Sequence, residues 1–103
     1  MEILTAEMLE KRASPCSTGL ERFRKAFPEG GEVSAENVRR ALDLGLADEV
    51  DWFAIGYAAQ GHGSPEIVAL FRRPPEEREA AYRENAALLA RVFRKTIRSG
   101  ERL

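Results

Sequence analysis

The chain has 103 residues, 44% of them hydrophobic and 32% charged, and a net charge of −1. That length holds one small core, and that composition lies outside the low-hydrophobicity, high-net-charge regime of disordered chains. The near-zero net charge excludes wholesale coating of DNA or of an anionic membrane and leaves room only for a local basic patch.

Cys16 is the lone cysteine, so no intrachain disulfide can form, which fits a reducing compartment. The first residues carry Glu2 and Glu7 where a secretory signal needs basic residues. The longest apolar run, Trp52 to Ala59, falls well short of the ~20 residues of a membrane-spanning helix. A cytoplasmic protein with no membrane partner is expected, folded as a single helical domain over residues 1–103.

Helix punctuation divides the chain into short pieces, while sustained period-two alternation is nearly absent. Thr5 can cap a first helix running to about Arg12. Ser14 and Pro15 offer an N-cap and first helical position for a second helix, with Cys16, Leu20, Phe23 and Phe27 on its inner face. Pro28-Glu29-Gly30-Gly31 then forms a turn, and Glu32-Val33 is the one place for a short extended pairing. Ser34 caps a third helix with the stripe Val38, Ala41 and Leu42, closed by Gly45 as a left-handed residue with Leu46 folding back.

Asp48 can cap a fourth helix, with Asp51 imitating a capping box. The apolar body from Trp52 to Ala59 predicts a central helix surrounded by others. Gln60 to Gly63 is a loop. Ser64 and Pro65 open a short helix bearing Ile67, Val68, Leu70 and Phe71, which Pro74 closes. Pro75 opens one long final helix to about Gly100, striped by Tyr82, Ala86, Leu89, Phe93 and Ile97 and long enough to project from the body. The pattern predicts an all-α fold, a compact bundle of five or six short helices with a longer C-terminal helix. Its expected core is Leu20, Phe23, Phe27, Val38, Leu42, Trp52, Phe53, Ile55, Phe71, Leu89 and Phe93.

No catalytic constellation emerges. Cys16 with His62, the only histidine, is the one conceivable nucleophile and base, yet Cys16 falls on an apolar stripe where a thiol acts as a small hydrophobe. A single Cys and a single His cannot complete a zinc site, and Gly30-Gly31 lacks the spacing of a phosphate loop. No enzyme, metal or cofactor is expected. Trp52, Phe53 and Tyr57 are assigned to core packing rather than to an aromatic binding surface. A helix-turn-helix built from residues 15–27 and 35–44 has too long a turn, and its second helix carries Glu36 and Asp43 against phosphate.

Charge is distributed unevenly. Residues 29–51 carry Glu29, Glu32, Glu36, Asp43, Asp48, Glu49 and Asp51 against only Arg39 and Arg40. Residues 91–103 carry Arg91, Arg94, Lys95, Arg98 and Arg102 against only Glu101. The spacing of Arg91, Arg94, Arg98 and Arg102 aligns them on one helix face, so with Lys95 they form the candidate partner-binding stripe. Basic residues near a helix C-terminus also complement its dipole, which is the simpler account of the same pattern.

The stretch Cys16-Ser17-Thr18-Gly19-Leu20-Glu21-Arg22-Phe23, followed by Phe27-Pro28, Val33-Ser34-Ala35-Glu36-Asn37-Val38, Ala41, Gly45-Leu46 and Asp51-Trp52-Phe53-Ala54, resembles a short helical segment recurring in uncharacterised bacteriophage and prophage proteins. The resemblance implies a phage or mobile-element origin and no particular activity. Nothing from Gly61 onward belongs to it. By analogy, small phage proteins of this kind act by occupying a host surface, including host-defence complexes such as the CRISPR machinery. The expected function is a non-enzymatic protein-interaction factor whose partner is a host protein or ribonucleoprotein complex, with anti-defence or anti-CRISPR inhibition as its specific form. The alternative is a nucleic-acid-binding accessory or regulatory protein using the arginine stripe.

Overall fold

The computed structural model describes residues 2–12, 15–55 and 65–98, and it is an all-α bundle with one two-stranded ribbon. In chain order these residues form β1 (Ile3–Leu4), α1 (Ala6–Arg12), α2 (Ser17–Ala26), β2 (Gly31–Glu32), α3 (Ala35–Asp43), α4 (Ala47–Phe53), α5 (Pro65–Phe71), α6 (Pro75–Glu84) and α7 (Ala86–Arg98). β1 and β2 pair antiparallel, with Ile3 opposite Glu32 and Leu4 opposite Gly31. The Val33 N–H extends the ribbon by donating to the Glu2 carbonyl at 2.8 Å.

Several helix ends fall where local chemistry places them. Thr5 Oγ1 accepts from the Met8 N–H at 3.2 Å, and Ser34 Oγ accepts from the Asn37 N–H at 3.1 Å. Gly45 adopts φ +84°, and the N–H groups of Gly45 and Leu46 return to the carbonyls of Leu42 and Ala41. That closure of α3 satisfies two end carbonyls and turns Leu46 into the core at 4% exposure.

Four expectations are corrected. α2 starts at Ser17, and its N-cap is Cys16, whose Sγ accepts from the Gly19 N–H at 3.3 Å; Cys16 is exposed, and Ser14 lies outside the described residues. Asp48 does not cap α4. That helix follows directly from the closing turn of α3, with Leu46 at its N-cap and no side-chain cap bond.

The described part of the expected Trp52 to Ala59 helix, residues 52–55, is only half enclosed. α4 ends at Phe53, a wider turn covers 54–55, and Phe53 and Ala54 are buried while Trp52 and Ile55 are 36% and 38% exposed. Residues 56–64, with Tyr57, His62 and Ser64, lie outside the described residues. The long final helix is two helices. Asn85 ends α6 and starts α7: its Nδ2 donates to the Ala81 carbonyl at 2.9 Å, and its carbonyl accepts the Leu89 N–H. The molecule measures 30 × 27 × 25 Å, and α7 lies within it rather than projecting.

The central helix is therefore α7. It packs most extensively on α3, and Leu89, Ala90, Val92, Phe93 and Ile97 are all buried. Phe93 meets Phe53 edge-on, with ring centroids 5.1 Å apart, tying α4 to α7. The buried side chains form one contiguous cluster that also takes in Leu9, Ile67, Leu70 and Tyr82. Of the expected core, Leu20, Val38, Leu42, Phe53, Leu89 and Phe93 are buried, while Phe23, Phe27 and Phe71 are only partly so.

Candidate functional site

Two of the partly buried phenylalanines, Phe23 and Phe27, face a cleft. It has a volume of about 410 Å³ and opens between α2 on one side and α3 with α4 on the other. Leu20, Phe23 and Phe27 of α2 and its C-cap line it together with Val38 of α3 and Trp52 of α4. Phe93 of α7 and Leu4 and Val33 of the ribbon also line it. Phe23 and Phe27 support each other at 5.5 Å between centroids, and the Arg40 guanidinium lies 6.0 Å above the Phe27 ring. These side chains are spaced for the inside of a helix pair, yet the pair does not close over them.

Polar groups occupy the rim. Cys16 lines the cleft beside Gly19, and Glu32, Asp48 and Glu49 supply three carboxylates; among the described residues no lysine or arginine lines it. Glu49 Oε1 accepts from Arg22 at 3.2 Å, whereas Oε2 is shielded from water and has no hydrogen-bond partner among the described residues. A shielded carboxylate oxygen without a donor forgoes the charge-assisted bond that a carboxylate ordinarily makes.

The basic stripe is only partly available. Arg94 is half-buried, and its Nη1 donates to the Val33 carbonyl at 2.9 Å; Arg98 Nε donates to Glu2 Oε1 at 2.6 Å. The Arg98 guanidinium bound to Glu2 holds that carboxyl below its ordinary pKa. Arg91 and Lys95 are exposed, and Arg102 lies outside the described residues. The stripe thus spends two of its arginines pinning α7 to the ribbon.

Sequence reasoning also missed where the acidic segment goes. Asp51, expected as a capping-box partner, receives Arg78 through two bonds, Nε at 2.9 Å and Nη2 at 3.1 Å, and the Tyr82 hydroxyl at 2.5 Å. Asp43 pairs with Arg83, and Glu10 pairs with Arg24. The five ion pairs among the described residues all use arginine, and each joins two different parts of the chain. No sequence spacing relates residues 51, 78 and 82; the one signal was an acidic segment and distant arginines of opposite sign.

Cys16 lines the cleft, and His62 lies outside the described residues. Among the described residues no group of three histidine, cysteine or acidic side chains is placed to hold a metal, and no helix is long and apolar enough to cross a membrane. Comparison with protein-family models, curated proteins and solved structures returned no match.

Proposed function

We propose that the protein is a non-enzymatic interaction module that seats part of a partner protein in the apolar cleft. The observation carrying this reading is the cleft itself. A small chain has few apolar side chains to spare, and this one leaves Phe23, Phe27 and Trp52 around an opening of about 410 Å³. Aromatic side chains around an open depression are the usual anchors of a binding hot spot.

The phage-like segment supports the same reading, because residues 16–54 supply nearly every wall of the cleft. On that resemblance, the partner belongs to a host complex, and anti-defence inhibition is the proposed form of the activity. The nucleic-acid alternative rests on Arg91 and Lys95, since Arg94 and Arg98 are engaged within the chain.

Quantitative affinity capture with mass spectrometry tests the proposal. Trp52→Ala and Phe23→Ser should lose a partner that the wild type retains, with helical circular dichroism unchanged. Arg91→Glu with Lys95→Glu should keep that partner. The opposite pattern, together with wild-type binding to random duplex at ~0.15 M salt, would replace this reading with the nucleic-acid one.

A further inference from the structure

We infer that the cleft takes an amphipathic helix from the partner, one that presents apolar side chains inward and lysine or arginine to the rim. This inference rests on the interaction-module reading and names the chemistry of its partner. Length gives the first argument. The α2 wall runs from Cys16 to Phe27, about 16 Å at 1.5 Å per residue, which matches three turns of a helix lying alongside it. A helix of that length and about 10 Å across occupies roughly 1,200 Å³, several times the cleft's 410 Å³. The cleft therefore has room for one stripe of side chains at i, i+3, i+4 and i+7, with the helix backbone above the mouth.

Charge gives the second argument. Glu32 on the ribbon and Asp48 and Glu49 in the first turn of α4 line the cleft, and among the described residues no lysine or arginine does; the neighbouring cations are Arg22, held on Glu49, and Arg40, held over Phe27. Arg22 answers only one oxygen of Glu49. A helix carrying lysine or arginine beside its apolar stripe places cations against these carboxylates, whereas an acidic helix or a nucleic acid places like charge there.

The test uses the full chain and three synthetic 14-residue helical peptides. All carry leucine at i, i+3, i+4 and i+7, with lysine, serine or glutamate at the remaining positions. Two single-copy reporters sit at the cleft: emission of Trp52, the only tryptophan, and the thiol reaction rate of Cys16, the only cysteine. The leucine–lysine peptide should bind, shift Trp52 emission to the blue and slow Cys16 modification about fivefold or more. The leucine–glutamate peptide should bind at least about tenfold more weakly, with the serine peptide between them.

Glu32→Gln with Asp48→Asn should erase most of that preference without moving the melting temperature, because both side chains are exposed. Equal binding of the lysine and glutamate peptides would overturn the inference, as would binding that leaves Trp52 and Cys16 unchanged, or no binding by any peptide. If no peptide binds but Trp52→Ala still loses the captured partner, the interaction-module reading stands and this inference alone falls.

Discussion

Tyr82 is 1% exposed, and its hydroxyl donates to Asp51 while Arg78 grips the same carboxylate. Burial and the bond to the Asp51 carboxylate push its pKa well above the ordinary value of 10.0. The folded chain keeps this proton where the unfolded chain releases it. The resulting stability is complete below about pH 10 and is lost as pH rises beyond it. Urea unfolding at about pH 9, 10 and 11 should show that fall, and Tyr82→Phe should make it shallower. Near neutral pH the same substitution should cost about 1.5–3 kcal/mol, one hydrogen bond to a charged group, while Arg78 still holds Asp51. Nothing in the local sequence marks Asp51 for this role, since its partners lie 27 and 31 residues ahead.

At the level of elements, capping chemistry was legible and helix continuity was not. Ser34 and Gly45 bound α3 as their residue types require, so each should respond to substitution. Ser34→Ala should lower stability by about 1 kcal/mol through the lost bond to the Asn37 N–H. Gly45→Ala should also cost about 1 kcal/mol, from the φ of +84° alone, because a Cβ there meets nothing within 4 Å. Thermal unfolding measures both. The split at Asn85 escaped detection because the stripe Tyr82, Ala86, Leu89, Phe93 and Ile97 keeps helical spacing straight through it. The Asn85 backbone N–H keeps its bond to the Ala81 carbonyl at 3.0 Å, and the asparagine side chain adds a second at 2.9 Å. Cys16 hid a start for a similar reason, since Ser14-Pro15 satisfies the same cap rule two residues earlier.

For the whole molecule, hydrophobic spacing identifies which side of a helix turns inward, and it carries no information on whether the inward space is filled. Leu20, Phe23 and Phe27 share one face of α2 as their spacing requires, yet only Leu20 is buried. The all-α class was therefore legible and the cleft was not. Two truncations separate a filled site from an open one. Leu89→Ala, at 0% exposure on α7, should cost about 2–5 kcal/mol and unfold much of so small a domain. Phe23→Ala should cost distinctly less, because its ring already borders open space. Chemical denaturation of the two variants side by side checks the ordering.

The ribbon belongs to two structures at once. Its Leu4 and Val33 wall the cleft, while its outer connections are Arg94 on the Val33 carbonyl and Arg98 on Glu2. Loosening α7's grip on the ribbon should therefore also loosen the part of the lining that Leu4 and Val33 supply, and by reciprocity an occupant of the cleft should tighten that grip. Reversing the charge of Arg98 should weaken a cleft ligand without the arginine ever touching it. Conversely, filling the cleft should slow amide exchange at Val33, whose N–H is held by the Glu2 carbonyl. The basic end of the chain would then govern binding as a remote clamp, with its contribution visible in dissociation rate more than in salt-dependent attraction.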